Sequence, residues 1–378
     1  MKRRFVLSTL LVAQGVVAAS SFFASPLVSP PLGGFRDCVM SLSERHPPPL
    51  DRRGLLLLGT AALVLPSQPP PASASDIQQA LNQARMEKAL ATRRLERFGR
   101  GETRLSEPVR REIEDFVMED TWRAPTLVRL AFHSSGTYDK KSGTGGSQKG
   151  TIHYDRELNQ ADNKGLKNVV KALDKIKSNH DISRADLYTL AGVHAIEMMG
   201  GPVVPWRWGR VDATAPRETI KEGRLPQPDM GDTPKTAAHI RQVFERMGFN
   251  DQEMVALIGA HTAGECKKDN SGYEGPWTPT EVRFDNLYYT FLRKWKYKRD
   301  NRLTGRGGKM QFEVEGMNDD FMMLPADIVF RDDPKFRVYV DAYAEDEALW
   351  FRDFSAAFQK LTELGTRDLK EDSVVAPS

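Results

Sequence analysis

The stretch M-V-A-L-I-G-A-H-T-A-G, from Met254 to Gly264, restricts what this chain can become more than any other. Asn250 and Asp251 stand ahead of it as helix N-caps, Met254, Leu257, Ile258 and His261 recur at helical spacing, and Gly264 supplies a stop. The spacing predicts a helix that carries His261 on its apolar face. A histidine so placed is either a core residue or a metal ligand, and this stretch alone leaves both open. The sequence S-G-Y-E-G-P-W runs on from Ser271 to Trp277.

The rest of the chain is patterned mostly for helix. From Asp76 to Phe98 strong helix formers predominate. A period near 3.6 recurs over Val109 to Met118, Thr126 to Ser134, Leu166 to Lys177, Arg184 to Met198, Thr236 to Met247, Arg283 to Trp295 and Pro334 to Leu364. Alternating strand patterns are confined to short candidates near Gln311 to Val314. The charged, glycine-containing segment Lys296 to Phe321 reads as an exposed loop or small hairpin. The expected organisation is a targeting leader over 1–74, a helical lead-in over 75–104, the main domain over 105–366 and a tail over 367–378.

The chain has 378 residues, 40% of them hydrophobic, which is enough for a sizeable core. Its formal charge of +3 comes from the leader, where seven Lys and Arg stand against three Asp and Glu; the remainder carries about −1. Binding to nucleic acid or another polyanion is therefore not expected. The two cysteines are Cys38, in the leader, and Cys266, so a disulfide scaffold is excluded.

In the leader, K-R-R at residues 2 to 4 precedes an apolar run from Phe5 to Ala19 that ends in small residues, the layout of a signal peptide. Arg52-Arg53 then precede a second apolar run, Gly54 to Leu65, closed by Ala72-Ser73-Ala74 as an A-x-A cleavage site. Two targeting elements in series imply two membranes crossed, with no membrane anchor in the mature form. The layout resembles a route to the thylakoid lumen of a plastid; the alternative is the mitochondrial intermembrane space.

A second constellation lies at Ala124 to Asp139, A-P-T-L-V-R-L-A-F-H-S-S-G-T-Y-D. Arg129 and His133 are four apart and share a helix face with Phe132 beside them. A cation and a base on an otherwise apolar face are costly to bury without a purpose.

Taken together, R-x-x-F-H at Arg129 to His133, T-G-G-S at Thr144 to Ser147, and Glu157 with N-K-G-L at Asn163 to Leu166 form an ordered series. It continues through A-G-V-H-A-I-E-M-M-G-G-P-V-V-P-W-R-W-G-R-V-D-A, E-G-R-L-P, the His261 stretch and M-M-L-P-A-D at Met322 to Asp327. The series resembles the class I haem peroxidases over nearly all of residues 105 to 366, with cytochrome c peroxidase and ascorbate peroxidase nearest. The resemblance implies a mostly α fold with haem b held between a distal and a proximal helical subdomain.

It further implies His261 as the axial ligand of the haem iron, with Asp327 accepting its Nδ1 hydrogen. His133 would be the general base toward hydrogen peroxide, Arg129 the group that stabilises developing negative charge, and Asn163, supported by Glu157, the residue that orients His133. Trp277 would carry the radical or conduct electrons. Lys267, Asn270 and Ser271 would lie along the cofactor, Lys267 near its propionates.

The pattern also departs from the family. Phe132 stands where close relatives carry tryptophan, which implies a shorter-lived oxidised enzyme than a Phe132→Trp variant and argues against catalase activity. Asn270 occupies the position of the arginine that binds ascorbate. Thr262, Thr278, Thr280 and Asp285 resemble the ligands of a monovalent cation such as K⁺. The expected activity is reduction of hydrogen peroxide with electrons from a small c-type cytochrome. The alternatives are ascorbate or another small reductant, and, in a different class, a non-catalytic haem sensor.

Overall fold

The computed structural model describes residues 73–98, 103–316 and 321–375. The leader readings, with both apolar runs and Cys38, lie outside the described residues. Helices make up most of what is described: α1 Ala74–Phe98, α2 Glu107–Glu119, α3 Arg123–Ser135, α4 Lys167–Asn179, α5 Arg184–Met198, α6 Thr233–Met247, α7 Asp251–Ile258, α8 Leu287–Lys294, α9 Pro325–Asp332, α10 Pro334–Glu345 and α11 Glu347–Thr362. The strands are short: β1 Thr103–Arg104, β2 Arg207–Trp208, β3 Glu265–Cys266, β4 Gly275–Pro276, β5 Tyr297–Asp300, β6 Gln311–Val314, β7 Met322–Met323, β8 Lys370–Glu371 and β9 Val374–Val375.

The centre of the core is α5, whose side chains from Ala185 to Met198 are all buried. Ser183 starts it, its hydroxyl accepting from the Asp186 N–H at 3.0 Å. α3 lies close against it: a Cβ on Gly192 would come within 2.3 Å of the Ala131 methyl. Only glycine there lets the helix that carries Arg129 and His133 approach this far.

One region read as continuous helix is two helices. Between α10 and α11, Asp346 is extended (φ −130°, ψ 97°), and its side chain accepts from the Leu349 N–H at 2.9 Å. A carboxylate that can cap the next turn competes with the backbone bond that would continue the first helix. The segment Lys296 to Phe321 contains a hairpin, with β5 antiparallel to β6 from Tyr297↔Val314 to Asp300↔Gln311. β7 adds to β6 and runs into α9, so the sheet anchors the strand that delivers Asp327. The C-terminal segment pairs back onto the body, β8 with β2 and β9 with β1. No helix among the described residues is long and apolar enough to cross a membrane.

Candidate active site

The His261 stretch folds differently from the single helix its spacing suggests. α7 begins with a capping box, Asn250 accepting from the Glu253 N–H and Glu253 from the Asn250 N–H, both at 2.9 Å. It stops at Ile258, and residues Gly259–Thr262 form a tighter 3-10 turn. The cause is packing from below. The Tyr289 hydroxyl donates to the Val255 carbonyl at 2.5 Å and the Trp350 indole to that of Ala256 at 3.0 Å. These two donors take carbonyls that a continuing helix would use. A Cβ on Gly259 would sit 2.3 Å from the Tyr289 hydroxyl, so the turn requires glycine. His261 thus leaves the helical face and lines a cleft of about 1710 Å³.

Beyond His261 the chain turns back over the imidazole. Gly264, at φ +87°, bends the backbone, and its N–H donates to Glu281 at 2.7 Å. β3 then pairs with β4, Glu265 opposite Pro276 and Cys266 opposite Gly275. This clasp sets the Trp277 ring on the His261 ring, centroids 4.3 Å apart and 24° from parallel.

Both rings converge on Asp327, which is fully buried. His261 Nδ1 lies 2.8 Å from Asp327 Oδ1, and Trp277 Nε1 donates to Oδ2 at 2.7 Å. The Leu324 N–H adds a bond to Oδ2 at 2.7 Å, and the Tyr288 hydroxyl one to Oδ1 at 2.9 Å. Donation from Nδ1 fixes the imidazole tautomer and leaves Nε2 with its lone pair for a ligand. Tyr288 was missed in reading the sequence. Its only signal there is a phenol on the apolar face of α8, and the adjacent Tyr289 shows the same signal.

The other wall comes from α3. His133 Nδ1 donates to Asn163 Oδ1 at 2.9 Å, and Asn163 Nδ2 donates to the Glu157 carbonyl at 2.8 Å. Glu157 thus supports Asn163 through its backbone, while its carboxylate accepts from the Ile220 N–H at 3.0 Å. Burial raises the Glu157 pKa. Burial, and then the Arg129 charge, push His133 down to about 3, so its imidazole is neutral at ordinary pH. Arg129 donates to the Lys164 and Asp162 carbonyls at 2.8 and 2.6 Å. Phe132 packs edge-on to His133 at 5.8 Å and stacks on Phe244 at 6.3 Å.

Lys267, Asn270 and Ser271 line the cleft. Asn270 lies against the distal loop, since a Cβ on Gly165 would come 2.7 Å from Asn270 Nδ2. The Ser271 hydroxyl bonds the Lys267 and Tyr273 carbonyls at 3.2 and 3.3 Å. Lys267 is exposed, with its ammonium 3.5 Å from Glu265. Cys266 also lines the cleft, and burial pushes its thiol up to about 12, which keeps it protonated.

Thr262, Thr278, Thr280 and Asp285 do come together. Asp285 accepts from the Thr262 hydroxyl at 2.9 Å, the Thr280 hydroxyl at 3.4 Å and the Leu287 N–H at 3.1 Å. Thr278 donates to the Thr262 carbonyl at 2.8 Å. Arg283 Nε lies 3.2 Å from the same carboxylate, so a cation of the protein's own already stands there.

A haem fits this donor set. His261, its Nδ1 committed to Asp327, leaves Nε2 as a single nitrogen donor for iron, and the cleft it lines is shared with His133, Arg129 and the apolar side chains of Phe132, Leu257 and Phe330.

The family model described as Peroxidase matches residues 109–346. The chain is similar to a Yarrowia lipolytica protein named cytochrome c peroxidase, mitochondrial, at 44% identity over 256 residues, which cover 67% of this chain and 72% of the relative. It is similar to a Cryptococcus neoformans protein of the same name at 45% over 250 residues, 65% of this chain and 63% of the relative.

Proposed function

The chain belongs to the peroxidase family and is a haem-dependent oxidoreductase acting on hydrogen peroxide; from that premise we propose that its electron donor is a small c-type cytochrome. The observation that carries the site reading is a cleft lined both by His261, tied to Asp327, and by a neutral His133 beside Arg129. Bound haem b supplies the iron at which the peroxide bond is broken and the oxidising equivalents are kept.

The residues divide the remaining work. His133, held by Asn163, takes the proton of the bound peroxide on Nε2 and delivers it to the leaving oxygen. Arg129 stabilises negative charge as the bond opens. His261 would hold the haem iron through Nε2, with Asp327 orienting its ring and raising its basicity. Trp277, stacked on His261 and bonded to the same carboxylate, passes the donor's electrons inward. Lys267, Asn270 and Ser271 form the cofactor's edge, and Phe132 closes the apolar distal face.

Names of the relatives and the presence of Asn270, where ascorbate users carry arginine, support a cytochrome over ascorbate. Steady-state turnover of the haem-loaded protein with reduced c-type cytochrome and with ascorbate tests this. We expect the cytochrome to be preferred, with Asn270→Arg raising ascorbate turnover only. Preference for ascorbate in the wild type would overturn it. A haem sensor, the reading from another class, has no use for the Arg129/His133 pair.

The converging oxygens of Thr262, Thr278, Thr280 and Asp285 support a monovalent-cation site, while Arg283 on the same carboxylate competes with it. A K⁺-dependent gain in thermal stability is the expected sign of binding; no difference from a large organic cation would rule it out. For the leader's destination, relatives named as mitochondrial support the intermembrane space, and they lend nothing to the plastid reading. Import assays with isolated organelles distinguish the two.

A further inference from the structure

The near-zero charge of the body is unevenly spread. From Arg293 to Lys309, across the end of α8 and the outer part of the β5–β6 hairpin, eight Lys and Arg stand against a single acid, Asp300. Three of the eight are matched within the protein. Arg293 pairs with Glu345 at 2.8 Å, Lys298 with Glu313 at 2.8 Å, and Arg302 with Asp300 and Glu313 at 2.8 and 2.6 Å. The other five, Lys294, Lys296, Arg299, Arg306 and Lys309, are exposed, and none has a carboxylate at ion-pair distance among the described residues. Lys309 has only the Tyr273 ring, its ammonium 5.3 Å from the centroid. Glu315, at the end of β6, is the hairpin's one exposed acid among the described residues.

An aromatic side chain interrupts this cationic stretch. Trp295, between Lys294 and Lys296, is 37% exposed, with Phe291 behind it at 6.1 Å. A large ring left in water costs free energy that covering it would recover. The hairpin that carries these groups is also tied down. The Lys309 N–H donates to the Gly272 carbonyl at 2.7 Å, and the Gln311 side chain bonds the Glu274 N–H and carbonyl, both at 3.0 Å. Its cations are therefore held on a fixed arm.

The composition of this surface selects its partner. Protein–protein interfaces are depleted in lysine and centre on an apolar core, whereas here three of the five cations are lysine and the one exposed indole lies at the hairpin's base. Lysines flanking an exposed tryptophan suit the headgroup level of a bilayer, where the ring meets the apolar boundary and the ammonium groups meet phosphate.

We propose that the β5–β6 hairpin docks the protein on a bilayer that contains anionic phospholipid. Lys294, Lys296, Arg299, Arg306 and Lys309 take the headgroup phosphates, and Trp295 lies at the headgroup level. The docking is reversible adsorption, since no helix among the described residues can span the bilayer. Arg306 and Lys309 also line the cleft, so adsorption sets its rim beside the lipid. The inference does not depend on which donor supplies the electrons.

The test mixes the haem-loaded full chain with vesicles of phosphatidylcholine alone, or of phosphatidylcholine with phosphatidylglycerol, each carrying a trace of photoreactive lipid. Labelled residues are located by tandem mass spectrometry, which distinguishes contact of the hairpin from any contact of the leader. We expect labels on the hairpin, Trp295 among them, in the anionic vesicles only, and their loss at high salt. Each cation near an anionic surface is worth about fivefold in binding, so Lys296→Gln combined with Arg299→Gln should lower hairpin labelling about 25-fold. Lys296→Arg combined with Arg299→Lys should keep it. The haem spectrum and the rate with peroxide should match the wild type in both double variants, which shows that they are folded. Hairpin labelling equal in the two kinds of vesicle, or undiminished in the glutamine variant, overturns the proposal. So does a hairpin that stays unlabelled; retention of the chain on immobilised polyglutamate through the same two cations would then assign the arm to an acidic protein instead.

Discussion

The two walls of the cleft are built by different means. The distal wall is one helix face: Arg129, Phe132 and His133 come from α3, and one residue 30 positions on, Asn163, fixes the imidazole. The proximal wall gathers distant segments on a single carboxylate, with His261, Trp277 and Tyr288 reaching Asp327 across 66, 50 and 39 residues. The distal side depends on a base left neutral by burial, the proximal side on a hydrogen-bond hub. Proton handling should therefore be separable from the His261–Asp327 pair, whereas damage to Asp327 removes the partner of both His261 and Trp277.

The sharpest separation of the two comes from the distal base. His133→Leu should slow the reaction with peroxide by roughly 10²- to 10⁴-fold, measured by stopped flow, while electron uptake after oxidation is spared. Asp327→Asn is the proximal counterpart, with an expected loss of about 10- to 100-fold in haem affinity or donor turnover. If Asp327→Asn left both unchanged, the hub would be structural only.

The pH response distinguishes the walls further. The folded pKa of His133, about 3, lies below its unfolded value near 6.5, so the unfolded chain binds a proton that the folded chain refuses. Stability contributed by this site is therefore lost as pH falls from about 6.5 toward 3. Urea unfolding should show a cost from His133 of about 2 kcal/mol at pH 5 relative to pH 7, absent in His133→Leu. The rate with peroxide should stay flat over the same range, since the base remains neutral. The smallest effect is expected for Tyr288→Phe. It removes one of four donors on Asp327 and should cost about 1.5 kcal/mol in urea unfolding, with the peroxide rate retained.

How much of this could be read from the sequence divides along the same line. The Arg129/His133 pair is legible because a helix turns a spacing of four into adjacency, and the helical segments around it are real elements. The break at Asp346 and the 3-10 turn at His261 were not legible. Each depends on a side chain that competes for backbone groups: Asp346 on its own next turn, Tyr289 and Trp350 on the end of α7. Tyr288 was hidden for a related reason, since nothing local distinguishes it from Tyr289. Only the tertiary fold shows that one phenol meets a carboxylate and the other a helix end.

If a neutral His133 opens peroxide and the donor's electrons arrive through Trp277, one stopped-flow series separates the two steps. The haem-loaded wild type, His133→Leu and Trp277→Phe are each mixed with peroxide and then with reduced c-type cytochrome. We expect a fast reaction with peroxide that only His133→Leu slows, and oxidation of the cytochrome that Trp277→Phe abolishes. An equal peroxide rate in the wild type and His133→Leu would contradict it.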